Sequence, residues 1–210
     1  MVLFMPPMRP SLVEFPADDT DRARRFWGGL LGIELAERAI AEDPLEVWAR
    51  MNLHAYLQAV GRDKEAFEQT QKVLELDPNL VIARVSVAHF HADWGEIDQA
   101  VSAARKAYEV GPWYPDARAT LAALLKRSGA DEEARALQQS LGVAESQGDA
   151  RAQAVYHLLC GDINTGADWT EKAIAARDFS MMYYLRFVVC RPLRASRRWP
   201  AIAKIVNWHG

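Results

Sequence analysis

The chain has 210 residues, of which half are hydrophobic and a quarter are charged. That composition is typical of a folded globular protein and excludes intrinsic disorder. The formal net charge of -3 argues against a general nucleic-acid binder, which is usually basic. The sequence holds no run of about 18 apolar residues, so we expect no membrane span and a cytoplasmic protein.

Residues 1–33 do not follow the pattern of the remaining chain. A short predicted strand is followed by a Pro-Ala-Asp-Asp turn and by a helix that places Ala23, Phe26 and Trp27 on one face. Residues 11–35 resemble the first strand and helix of the glyoxalase/bleomycin-resistance superfamily. The histidine that often binds metal in that strand corresponds to Leu12 here, which cannot bind a metal. The alternative interpretation is a helix from Asp21 to Leu31 that caps the helices after it.

Self-similarity with a period of 34 residues covers about residues 34 to 147. In the first unit the sequence predicts a helix from about Pro44 to Val60, ended by Gly61 in a left-handed conformation. A second helix begins near Asp63, and Asp77 with Pro78 closes the unit because proline cannot continue a helix. A glycine, a small inner residue, an aliphatic residue and a proline recur at this spacing: Gly61, Gly95 and Gly129; Ala66, Ala100 and Ala134; Leu53, Val87 and Leu121; Pro44, Pro78 and Pro112.

This period and these positions resemble the tetratricopeptide repeat. The resemblance implies an all-α fold, a right-handed solenoid of helix pairs, and a role in binding proteins or peptides. The sequence departs from the family where an aromatic residue is expected early in the first helix, because Arg50, Arg84 and Arg118 stand there. The pattern extends to an earlier second helix over residues 31–44 and to a further helix pair around Ala167, so the predicted repeats span residues 34–178.

Residues 179–210 are predicted to cap the last apolar face of the solenoid. They resemble the end of repeat regions found in bacterial serine/threonine kinases, adenylate cyclases and winged-helix regulators. The matching residues are Leu193, Arg194, Ser196, Arg198, Trp199 and Pro200, and the predicted apolar side is Trp199, Ile202, Ile205 and Val206. Seven basic residues between Arg177 and Lys204 are expected to be solvated, the alternative being contact with an acidic partner or RNA.

No catalytic constellation, metal site or cofactor motif is present, and Cys160 and Cys190 are expected to be free thiols. First helices line the concave side of such a solenoid, so their exposed residues predict a peptide-binding groove. In the third unit Asp116 is also assigned to this groove. The predicted groove residues are Trp48, Met51, Gln58, His89, Asp93, Lys126 and Arg127.

The sequence therefore predicts a scaffold that binds a protein or peptide in bacterial signalling or regulation, and not an enzyme. Two alternatives stay open: a glyoxalase-superfamily enzyme or its remnant, and the detached sensor region of a kinase or cyclase. The sequence does not specify an oligomeric state. For Trp48 the alternative to an exposed groove position is packing against the preceding helix.

Overall fold

The computed structural model describes residues 32–141 and 148–208, and it contains helices and no strand within these residues. Residues 1–31 carry most of the glyoxalase-like segment and the whole of the alternative capping helix. Those predictions lie outside the described part of the chain. Residues 32–35, the last of the glyoxalase-like segment, are helical.

The first described helix, α1, covers residues 32–42. The next eight helices in the chain stack as four antiparallel pairs. The pairs are α2 (Val47–Ala59) with α3 (Asp63–Leu76), α4 (Val81–Asp93) with α5 (Ile97–Val110), α6 (Pro115–Ser128) with α7 (Asp131–Gln139), and α8 (Asp149–Leu159) with α9 (Ile163–Ala175). Successive first helices α4, α6 and α8 pack side by side. The predicted all-α solenoid of tetratricopeptide-type helix pairs is thus confirmed.

Glycine ends the first helix of every pair. Gly61, Gly95, Gly129 and Gly161 have φ values of 76, 79, 86 and 80°, a left-handed conformation that side chains disfavour. The turn then closes with a backbone hydrogen bond five residues back, for example from Arg62 N–H to the Leu57 carbonyl at 2.9 Å. The predicted role of glycine at the end of the first helix is confirmed.

An arginine and a proline secure the opposite end of the first three pairs. The guanidinium groups of Arg50, Arg84 and Arg118 donate to the carbonyls of Pro44, Pro78 and Pro112 at 2.8, 2.6 and 2.9 Å. Each bond joins the first turn of a first helix to the loop before it. The arginine in place of the family's aromatic residue therefore has a polar structural role, because its guanidinium reaches a carbonyl six residues earlier.

A buried alanine lies where the two helices of each pair cross. Ala66, Ala100 and Ala167 have no exposed surface and Ala134 is 3% exposed. Small side chains at these positions let the helix backbones approach closely, and interiors at this density tolerate little added volume. The recurring alanine position, spaced by 34, 34 and 33 residues, therefore sets where the paired helices meet.

The chain after the last pair folds into short helices: α10 (Phe179–Tyr184), a 3₁₀ turn (Val188–Cys190), α11 (Arg191–Arg194) and α12 (Trp199–Ile205). Ile202 is fully buried, and Trp199 and Val206 pack against the core. Ile205 is 58% exposed, so its predicted place on the apolar side of the cap is wrong. It is the last residue of α12, and the described part of the chain does not cover it.

We expect Ala100→Leu to lower the free energy of unfolding by about 1–3 kcal/mol, because the added carbons overpack the crossing of α4 and α5. The matched control is Ser102→Leu, an exposed position on the same helix, which should change it by no more than about 0.5 kcal/mol. Urea denaturation followed by circular dichroism measures both. Equal stability of the two variants would show that the alanine positions do not set the helix spacing.

Candidate binding face

The chain's own C-terminal region lies against the face formed by the first helices. The 3₁₀ turn Val188–Cys190 contacts α4 and α8. The Val188 N–H donates to Gln58 Oε1 at 2.7 Å, a bond between residues 130 positions apart. The Val188 side chain belongs to the same buried cluster as Leu53, Leu57 and Phe90. We call residues 185–194 the crossing segment, and the surface of α2, α4 and the start of α3 that it contacts the first-helix face.

Arg191 anchors the crossing segment electrostatically. Its guanidinium donates to Asp63 Oδ2 at 2.5 Å and to Asp93 Oδ2. The Arg191 side chain is 43% exposed, so solvent screens these pairs and their net contribution to stability is small. The two ion pairs mainly fix the position of the segment, because two carboxylates from different repeats hold one guanidinium in place.

Gln58 links Val188 to His54 through two hydrogen bonds. Since the Val188 N–H only donates, the oxygen of the Gln58 amide faces it and the Gln58 nitrogen donates to His54 Nε2 at 2.8 Å. His54 Nε2 must then accept, which places the ring proton on Nδ1, 3.2 Å from the Ala66 carbonyl. Burial lowers the pKa of His54 to about 4. The arrangement therefore requires a neutral imidazole.

Three of the predicted groove residues, expected to be exposed, are buried, so that expectation is wrong. Met51 is buried with Val73 and Ala83, because its side chain points toward α3 and α4. Gln58 is buried and makes the two hydrogen bonds just described, to His54 and Val188. His89 is buried and bonded through Nε2 to Thr120 Oγ1 at 2.9 Å.

The other four predicted groove residues are at least partly accessible, but the structure does not bring all four to one point. Trp48 is 59% exposed and lies on α2 next to α1, away from the crossing segment. The Asp93 side chain is bonded to Arg191. Lys126 and Arg127 are exposed at the end of α6, where the Lys126 ammonium lies 5.8 Å from the centre of the Tyr156 ring.

An open cavity remains beside the crossing segment. It has a volume of about 350 Å³ and is bounded by the ends of α4, α6 and α8 and by the segment itself. Its lining includes Asp93, Arg127, Cys160 and Pro192. Burial raises the pKa of the Cys160 thiol, and that of Cys190 to about 12, so neither thiol is an activated nucleophile.

A buried charge cluster holds the C-terminal end of the solenoid together. Arg151 donates to Asp116 at 2.8 Å and also to Asp178, and all three side chains are buried. The expected place of Asp116 in the groove is therefore wrong. Burial raises the pKa of Asp116, and the adjacent Arg151 opposes that shift. Removing one partner of such a cluster leaves an uncompensated buried charge, so these residues are structural.

Sequence reasoning missed Asp63 and Arg191 as a pair. Asp63 was identified only as a helix start, and Arg191 only as one of several basic residues expected to be solvated. Arg194 and Arg198 of that basic group are also engaged within the chain: Arg194 donates to the Phe187 carbonyl at 2.9 Å, and Arg198 to Asp168 at 2.8 Å. A contact across 128 positions has no local sequence signal.

Acidification should destabilise the fold through His54 and His89. Burial lowers the pKa of His54 from 6.5 to about 4 and that of His89 to about 3. Below about pH 6.5 the unfolded chain binds protons that the folded chain does not. The free energy of unfolding is therefore highest above this pH and falls on approach to pH 4. Each histidine should cost about 1.4 kcal/mol per pH unit in that window.

Urea denaturation between about pH 7.5 and about pH 4.5 measures this slope. In His54→Gln the part due to His54 disappears, so the slope should fall by about 1.4 kcal/mol per pH unit, while His89 and His157, whose pKa values burial also lowers, keep their parts. An unchanged slope in that variant would contradict the assignment of the neutral ring.

Comparison with known proteins bears on the fold alone. No protein-family model matches the chain, and no curated protein matches it. Among solved structures the chain is similar to the crystal structure of MamA, with a TM-score of 0.51 and 19% sequence identity over 80% of this chain and 99% of that chain. MamA is a tetratricopeptide-repeat protein. The likeness agrees with the helix pairs described above: the chain has the fold of a tetratricopeptide-type helical solenoid.

Proposed function

We propose that the protein is a scaffold that binds another protein or a peptide through the surfaces of its first helices, without catalysing a reaction. The observation that carries the proposal is the crossing segment itself. The first-helix face holds a stretch of polypeptide by a backbone hydrogen bond to Gln58, an apolar contact and a pair of carboxylates. These are the kinds of contact by which proteins recognise peptides.

Accessible residues at both ends of the first helices extend this surface. Trp48 offers a large exposed apolar side chain at the start of α2, and aromatic residues of this kind often dominate binding energy. Arg127 and Lys126 offer positive charge at the end of α6, suited to a carboxylate of the partner. Of the predicted groove residues, Gln58 and Asp93 contact the crossing segment.

The setting that we propose is bacterial signalling or regulation in the cytoplasm. The support is the resemblance of residues 193–200 to the end of repeat regions in bacterial kinases, cyclases and winged-helix regulators. No helix in the described part of the chain has the length and apolar character needed to cross a membrane.

The test starts with affinity capture from the native host, and the captured partner is then titrated against purified variants by calorimetry. Trp48→Ala should weaken binding roughly 30-fold, the loss of about 2 kcal/mol expected for an aromatic anchor. Trp113→Ala is the matched control, because Trp113 is 72% exposed but lies on the turn before α6. It should change the affinity by less than about threefold.

Arg127→Glu should weaken binding about tenfold, and the loss should shrink as salt rises. Arg135→Glu on α7, also exposed, is its control. If the partner binds every variant with the wild-type affinity, the proposed site is wrong. If Trp113→Ala alone weakens binding, the site lies at the turns between pairs.

A further inference from the structure

The crossing segment consists of a buried base, which includes Leu185 and Leu193, and a tip, residues 188–192, that begins buried and ends in the accessible Arg191 and Pro192. At the base, Leu185 and Leu193 have no exposed surface. The Arg194 guanidinium donates to the Leu185 and Phe187 carbonyls and closes the segment on itself. At the tip, the Arg191 side chain is 43% exposed and Pro192 is exposed. The tip reaches the first two repeats, whereas the base is part of the C-terminal core.

Three features of the first-helix face recognise the tip, and they lie on the first two repeats. Gln58 Oε1 accepts from the backbone N–H of Val188. The Val188 side chain lies among Leu53, Leu57 and Phe90 in one buried cluster. Asp63 and Asp93 accept from the guanidinium of the residue three positions later, Arg191. A backbone bond, an apolar contact and a charge at a fixed spacing together specify a short linear sequence.

The acidic pair has accepting capacity that Arg191 does not use. Asp63 Oδ1 is buried and has no hydrogen-bond partner among the residues that the structure describes. A buried carboxylate oxygen without a partner costs free energy, and another donor at this place would recover it. The cavity of about 350 Å³ also leaves space beside Pro192 and Val189. The tip therefore occupies this face but leaves one buried carboxylate oxygen without a donor and a cavity beside it.

We propose that the crossing segment is an internal ligand that occludes the first-helix face, and that the face binds in its place a peptide with an aliphatic residue followed three positions later by arginine. This inference rests on the proposed function and names both the partner's chemistry and the regulation of the site. A partner with this sequence displaces the tip, while the base of the segment stays in the core.

Tethering explains why such a face is closed in the isolated chain. A segment attached to the same molecule has an effective concentration in the millimolar range, so a free peptide competes poorly with it. The apparent affinity of the partner is reduced by the fraction of molecules in which the tip is displaced. Weakening the tip without altering the face should therefore raise the affinity for a peptide added in solution.

The experiment uses the full chain and a fluorescent peptide with the sequence of residues 185–194, carrying Cys190→Ser to prevent oxidation. Arg191→Ala in the protein removes the tip's charge and leaves Gln58, Asp63 and Asp93 in place. Fluorescence anisotropy should show the peptide binding this variant at least about tenfold more tightly than the wild type. Arg197→Ala is the matched control, because Arg197 is an exposed arginine outside the crossing segment; it should match the wild type.

A second peptide that also carries Arg191→Glu tests the charge recognition. It should bind the Arg191→Ala protein at least about tenfold more weakly than the first peptide, because it brings a carboxylate to an acidic pair. Asp93→Lys, introduced into the Arg191→Ala protein, should reduce that preference. Thermal melts followed by circular dichroism should show all variants folded, because the substituted side chains are partly exposed.

Hydrogen exchange provides a readout that does not depend on the added peptide. The Val188 amide should exchange faster in Arg191→Ala than in the wild type, while Leu193 at the base keeps its protection. Equal peptide affinity in Arg191→Ala and wild type, or equal binding of the two peptides, would overturn the inference. Neither result bears on the captured partner and Trp48, which test the proposed function separately.

Discussion

The architecture depends on the close approach of two helices at one small residue in each pair. Ala66, Ala100, Ala134 and Ala167 are buried at these crossings, and a larger side chain would force the backbones apart. Because the paired helices meet at the same position in every repeat, successive first helices lie side by side. That arrangement creates the continuous face on which the crossing segment lies.

The turns at the two ends of the helices use different chemistry for the same purpose. At one end, glycine adopts a left-handed conformation and the turn closes through the backbone. At the other end, Arg50 and its equivalents donate to a proline carbonyl. The glycine turn satisfies a carbonyl that the helix end leaves unpaired, and the arginine satisfies a proline carbonyl in the loop before the helix. Substituting arginine for an aromatic residue thus changes the chemistry of the repeat while preserving its geometry.

Polar groups at the first-helix face serve structure and recognition together. The neutral ring of His54 orients Gln58, and Gln58 in turn accepts from Val188. A protonated ring would present an N–H to the donating nitrogen of Gln58, so acid conditions oppose this arrangement. The link from the buried histidine to the crossing segment makes the occupied face sensitive to changes in the core beneath it.

The sequence by itself determined the helix pairs, their turns and their buried alanines, because these features rest on local conformational preferences that recur every 34 residues. The same register predicts a peptide-binding groove on the first helices. Only the tertiary structure decided that Gln58 and His89 are buried and that Arg191 joins Asp63 to Asp93. The repeat register assigns a residue to a helix and to one face of that helix. The crossing segment, however, contacts residues more than 90 positions earlier in the chain. No local preference encodes which side chains a contact between such distant residues buries.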